Sequence, residues 1–276
     1  MLVCFRLSFV FFLLTAALSS CTDVIPIDLP TAESELAVEG TVTDQPGPYT
    51  VLLTRTSGYF NDQPSPAVRG AQVIITDNEG AADTLRETEP GRYQTHRLRG
   101  KIGNTYLLTV RTEGEEYRAA TEIKRVPPID RLEQQHKVKE AGWKDGYYVL
   151  YNGPELPGVG DYYRFKLYQN DTLRNKPDEL IVRDDALYDG KYISNVELTD
   201  RPFRVGDKVR VEALSLPQDY YYFLNEMFTQ INNVGLFSSP PSNVRTNVLN
   251  RNASGPKAVG YFAGTAVQSA TITIQP

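Results

Sequence analysis

Leu36-Ala37-Val38-Glu39-Gly40-Thr41-Val42 is followed by the turn Gln45-Pro46-Gly47-Pro48 and then by Tyr49-Thr50-Val51-Leu52-Leu53. Leu36, Val38, Gly40 and Val42 alternate with largely polar neighbours, and Tyr49, Val51 and Leu53 repeat the pattern. That period of two is the signature of strands with one buried face, and the proline-glycine turn makes the two strands an antiparallel pair.

The same pattern continues downstream through Ala71 to Thr76, Asp83 to Thr88, Arg92 to Arg97, Thr105 to Arg111 and Tyr117 to Lys124. Asp77-Asn78-Glu79-Gly80, Pro90-Gly91, Gly100 to Gly103 and Glu113-Gly114 supply the turn chemistry between them. Seven strands in about 90 residues, with no helical period, predict a β-sandwich over residues 35–125. Val126-Pro127-Pro128-Ile129-Asp130 ends it, and two prolines in a row predict a semi-rigid linker over 126–130.

A second, tyrosine-rich β domain is expected over 131–276. Its strands fall at Gly146 to Asn152, Asp161 to Gln169, Glu179 to Arg183, Lys191 to Leu198 and Lys208 to Leu214, with a closing pair at Lys257 to Thr265 and Val267 to Ile274. One segment changes period. Tyr220, Leu224, Met227 and Ile231 recur at spacings of four, three and four, which predicts one amphipathic helix over about 217–233 that covers a face or edge of the second sheet. Ser215-Leu216-Pro217-Gln218 has the form of a capping box, and Asn232-Asn233-Val234-Gly235 supplies residues that accept a left-handed helix end. The chain is therefore expected to be mainly β, with two β-sandwich-like domains, the second carrying the helix.

Upstream, one positive charge (Arg6), an apolar run from Leu7 to Leu18 and the small residues Ser19 and Ser20 have the layout of a signal peptide over 1–20. The run is shorter than the ~20 apolar residues of a membrane span. Leu18-Ser19-Ser20-Cys21 resembles the bacterial lipobox, which implies cleavage between Ser20 and Cys21 and lipidation of Cys21. Residues 21–34, with Pro26 and Pro30, would be the tether. Two or more acyl chains hold a protein stably on a bilayer. Thr22 after the cysteine implies, by the sorting rule that goes with that resemblance, the outer membrane; the sequence leaves its periplasmic or cell-surface face open.

The net charge of −5 becomes −6 once Arg6 leaves with the signal, which argues against a nucleic-acid partner, since that calls for clustered basic surface. Cys4 would leave with the signal and Cys21 would carry lipid, so no thiol remains for a disulfide, a nucleophile or a thiolate metal site. His96 and His136 belong to no spaced metal motif, and no nucleophile elbow or phosphate-cradling loop occurs. No catalytic residue, metal ligand or cofactor is therefore assigned. Asp184-Asp185 and Asp77 to Gly80 read as turns, because neither has the spaced oxygen ligands of a calcium loop.

Twelve of the seventeen tyrosines follow the linker, several as adjacent pairs. Adjacent strand residues face opposite sides, so one of each pair should be buried and its neighbour outward. Outward tyrosines at Tyr147, Tyr151 and Tyr163, with Phe237, Pro240, Pro241 and Asn243 in the loop beyond the helix, form the candidate surface for a glycan, a peptide or a protein partner. Asp83-Thr84-Leu85 and Asp171-Thr172-Leu173 resemble short O-glycosylation acceptors, which implies glycans at Thr84 or Thr172.

Val68-x-Gly70-Ala71-x-Val73-x-Ile75, Gly91-x-Tyr93 and Gly100-x-x-Gly103-x-x-Tyr106 resemble a carboxypeptidase-regulatory or transthyretin-like sandwich, with a general Ig-like sandwich as the alternative. The set Leu36-x-Val38-Glu39-Gly40, Pro46-Gly47-Pro48-Tyr49, Val126 to Asp130, Pro240-Pro241-x-Asn243-Val244 and Gly260-Tyr261-Phe262 resembles an uncharacterised Bacteroidetes outer-membrane lipoprotein family, a domain of unknown function, across nearly the whole mature chain. Thr246-Asn247-Val248 departs from that family's usual pattern. The resemblance implies an accessory role in uptake beside a TonB-dependent receptor, and with Cys21, the two β domains and the missing catalytic motifs it leads to the expectation of a non-enzymatic binding or accessory lipoprotein. The alternatives are a structural or adhesive envelope protein, and a hydrolase using carboxylates such as Asp184 or Asp185.

Overall fold

The opening alternation becomes β1 (Leu36–Thr43), in which Leu36, Val38, Gly40 and Val42 turn inward and Glu39 faces outward. The protein is represented by a computed structural model that describes residues 34–58, 63–140, 143–233 and 242–276. After β1 come β2 (Thr50–Arg55), β3 (Gln72–Asp77), β4 (Ala82–Thr84), β5 (Arg86–Glu89), β6 (Arg92–Gln94), β7 (Thr105–Thr112) and β8 (Glu115–Glu122). The remainder is β9 (Arg131–Lys137), β10 (Gly146–Pro154), β11 (Tyr162–Gln169), β12 (Thr172–Leu173), β13 (Ile181–Asp184), β14 (Tyr192–Glu197), β15 (Lys208–Leu216), α1 (Gln218–Asn232), β16 (Leu249–Asn250), β17 (Ala258–Thr265) and β18 (Val267–Thr273). Ser20, Cys21, Phe237, Pro240 and Pro241 lie outside the described residues, as do the expected signal segment and all of the expected tether except Ser34.

Two five-stranded sheets, ordered β17-β1-β2-β6-β5 and β16-β8-β7-β3-β4, enclose the first core. Leu36, Val38, Val51 and Leu53 from one sheet meet Val73, Ile75, Leu108 and Val110 from the other. Each such side chain contributes about 1.5–3 kcal/mol on burial. Buried tyrosines also satisfy loop backbone: the Tyr93 hydroxyl donates to the Val68 carbonyl and accepts from the Ala71 N–H, at 2.9 and 3.0 Å. A second core, with Val149, Leu167, Phe203, Val209 and Val211, lies between β14-β10-β9 and a sheet ordered β12-β11-β15-β18, onto which β13 also pairs through β11.

Several details differ from the sequence reading. β17 and β18 are not a closing hairpin: β17 runs parallel to β1, from Leu36 opposite Ala258 to Thr43 opposite Thr265, whereas β18 pairs with β15. Only Ala266 separates the two strands, fewer than the two residues that a tight hairpin needs. Residues 249–265 thus belong by pairing to the first sandwich, so the boundary at 131 does not hold for them. The 126–130 segment is seated rather than free, since Val126 and Pro127 are buried and Ile129 packs against both cores.

The helix forms as expected, with Leu224 buried, but the capping box does not. Pro217 occupies the N-cap without a side-chain bond. The Ser215 hydroxyl is already used inside the fold, donating to the Lys124 carbonyl at 2.7 Å and accepting from the Ala266 N–H at 2.8 Å. Asn233 closes the helix at φ −78°, so it is not a left-handed cap.

Candidate functional site

β1 buries one face in the first core, which leaves Ala37, Glu39 and Thr41 on the other. Over that outer face lie β11 and α1. A groove of about 500 Å³ opens between them, with Glu39 and Leu52 on one side, Arg164 and Lys166 from β11 opposite, and Tyr220, Phe223 and Met227 from α1 beside Tyr261 of β17. Tyr220 stacks on Tyr261 with ring centroids 4.7 Å apart, and Phe223 lies 5.1 Å from the same ring. Such aromatic pairs add about 0.5–1.5 kcal/mol beyond the area they bury.

Arg164 and Lys166 are two residues apart on β11 and therefore share a face. Lys166 is half-buried, and its ammonium has no hydrogen-bond or ion-pair partner among the described residues. Burial, reinforced by the Arg164 charge and opposed by Glu39, pulls its pKa down to about 8. Glu212, opposite Lys166 on β15, is engaged elsewhere by Arg210 and by the Tyr168 hydroxyl. Burial also raises the pKa of Tyr220, which Arg164 partly offsets. The groove contains one further polar atom left unused, the buried Thr265 hydroxyl, which has no hydrogen-bond partner among the described residues. Burial and then the nearby Asp219 carboxylate raise the Tyr261 pKa.

The structure separates the residues of the sequence-predicted surface. Tyr147 is half-buried, with its ring 4.7 Å from His136, and Asn243 is exposed. Tyr151 and Tyr163, by contrast, are only 3% and 4% exposed, so neither offers an outward ring. Tyr151 packs edge-on against Phe165, and the Tyr163 hydroxyl donates to Glu155 at 2.6 Å. Alternation does hold within the pairs, with Tyr148 and Tyr163 inward and their neighbours Tyr147 and Tyr162 less buried. Thr84 and Thr172 are both exposed.

The carboxylates singled out in the sequence take different positions. Asp184 accepts from the Tyr221 hydroxyl at 3.1 Å. Asp185 is buried and, with Glu155 and Asp161, forms a group whose oxygens lie within 4.8 Å of one another, an arrangement that could hold a divalent cation. Each member already has a partner. Asp185 accepts the Gly160 and Asp161 N–H groups at 2.8 and 3.0 Å, Asp161 pairs with Arg125 at 2.7 Å, and Glu155 takes the Tyr163 hydroxyl. Burial, with Asp161 and Asp185 adding to it, raises the Glu155 pKa despite that bond. The trio latches the 155–161 loop to the end of β13. Asp77 acts as a turn residue, accepting the Glu79 and Ala81 N–H groups at 3.0 and 2.8 Å. His96 sits 2.9 Å from the buried Asp83, and His136 3.4 Å from Asp145.

Sequence reasoning missed Glu39, Arg164, Lys166 and Phe223. The available signal was Tyr162-Tyr163-Arg164-Phe165-Lys166, where two cations share a strand face beside aromatics, but the opposite wall comes from residues more than a hundred positions away.

No curated protein matches the chain. A family model described as Domain of unknown function (DUF4249) matches residues 22–271, so the chain belongs to that family.

Proposed function

We propose that this protein is a lipid-anchored outer-membrane binding protein that holds a ligand without transforming it and serves a TonB-dependent uptake system as an accessory. The observation that carries the binding role is the groove, where a cation with no hydrogen-bond or ion-pair partner among the described residues stands beside three aromatic rings packed together. Its size falls in the range of small-molecule sites. Its lining includes one carboxylate, Glu39, and neither a histidine nor a cysteine, so it lacks the paired acid and base of a hydrolase. The anchor rests on Leu18-Ser19-Ser20-Cys21, and the receptor partner on the resemblance to lipoproteins encoded beside such receptors.

Two measurements test this reading. Cys21→Ala should shift the protein from the membrane to the soluble fraction of lysed cells; retention on the membrane would remove the anchor. A native pull-down of the tagged chain from detergent-solubilised outer membranes should recover a barrel receptor in near-equal amount, and recovery of the chain alone would remove the accessory role.

A further inference from the structure

We propose that the groove binds a carboxylate monoanion with a flat apolar body, the carboxylate on Lys166 and Arg164 and the body against Tyr220, Phe223 and Tyr261. The inference rests on the reading of the groove as a ligand site and specifies what enters it.

Charge decides the class. A half-buried ammonium without a counter-ion is costly, and proteins normally pair such groups. Here the chain provides no such partner among the described residues, although Glu212 lies opposite on the neighbouring strand and is committed to Arg210. The charged groups of the lining are Arg164, Lys166 and Glu39, a net of one positive charge that a single carboxylate neutralises. A phosphate dianion would instead leave the groove negative. Arg164 adds the planar donor fork that matches a carboxylate, while Lys166 acts as a point charge. The free Thr265 hydroxyl offers another polar contact within the same lining.

Shape decides the body. Tyr220, Phe223 and Tyr261 line the groove as one packed aromatic cluster, which favours a planar or aromatic group over a branched polar one. Two sources share this chemistry: a free aromatic acid, and the C-terminal carboxylate of a peptide that ends in an aromatic residue.

Titration gives a signature of its own. Burial and then the Arg164 charge hold the Lys166 pKa down at about 8. The groups that face it are Arg164 on its own strand, Glu39 on β1, Tyr220 on α1 and the Arg210-bound Glu212 on β15. A bound carboxylate restores the counter-charge and raises the Lys166 pKa, so binding at pH 8.5 takes up a proton.

The test is calorimetric titration of the full chain in detergent micelles, in buffers of different ionisation enthalpy. The probes are phenylacetate, N-acetyl-Gly-Phe and the corresponding neutral amides. Both acids should bind at least tenfold more tightly than their amides, with proton uptake at pH 8.5. Lys166→Met and, separately, Arg164→Gln should weaken the acids by about ten- to hundredfold, the range of a charge-assisted hydrogen bond. Lys166→Met should also abolish the proton uptake. A tighter phenylacetate points to a free acid, and a tighter N-acetyl-Gly-Phe to a peptide end. Equal binding of acids and amides that Phe223→Ala weakens would overturn the anion assignment while leaving the groove a binding site. Absence of binding by every probe, or acid binding indifferent to Lys166, would overturn it outright. The receptor pull-down reads the accessory role independently of these titrations.

Discussion

Lys166 has a stability cost that can be measured without any ligand. Its folded pKa, about 8, lies below the ordinary lysine value of 10.5, because burial and then Arg164 disfavour the charged form. Between those two values the unfolded chain holds the extra proton, so the stability difference that this group imposes shrinks as pH rises through the window. Below pH 8 the charge destabilises the fold in full. Lys166→Met should therefore raise stability at pH 7 by about 1–3 kcal/mol, and the gain should vanish near pH 10.5. Urea denaturation of both proteins at pH 7 and pH 10.5 checks this; equal midpoints at pH 7 would mean that the ammonium is solvated. Residue-level legibility followed the same division. Strand alternation alone says that one of Tyr147-Tyr148 and one of Tyr162-Tyr163 turns inward but not which, and Tyr163, expected outward, is the buried one. That Tyr151 is also buried, and that Lys166 lacks a partner, depend on what lies across the sheet, which local period does not encode.

At the scale of elements, the pairing of β1 with β17 depends on one glycine. Gly260 has φ +94°, and a Cβ there would lie 2.0 Å from the Val38 carbonyl oxygen. Gly260→Ala should cost at least about 3 kcal/mol, through a left-handed conformation and a backbone collision together. Gly103→Ala serves as its control: φ is +87° but the surrounding space is open, so only the conformational cost of about 1–2 kcal/mol applies. Thermal unfolding of the two variants should show this order, and similar losses would show that β1 and β17 can separate to accommodate a methyl group. Strands and helix were legible here because period carries them. The capping box was misread because Ser215 lies in β15 and its hydroxyl serves Lys124 and Ala266, a contact between distant segments.

For the whole molecule, the last strands are shared between sheets that begin far earlier in the chain. A chain ending at Asn243 loses β16, β17 and β18, and so strips neighbours from β1, β8 and β15. That truncation should abolish cooperative unfolding of the first sandwich as well as the second sheet, as followed by circular dichroism and hydrogen exchange. Cooperative unfolding of residues 35–125 alone would instead show that the sandwich closes without β16 and β17. The sandwich was visible in the sequence because turns and alternation recur within it. The return of residues 249–265 was not, since nothing local in Ala258 to Thr265 states which strand it will meet.

Synthesis imposes a clock on that arrangement. β1 is made early, and its partner edge in β17 follows more than two hundred residues later. At 5–20 residues per second the delay is on the order of ten to forty seconds, during which β1 presents unpaired backbone to any strand it meets. Until β17 is made that edge of β1 is open to mispairing, and a product stalled or clipped before β17 keeps the same edge exposed.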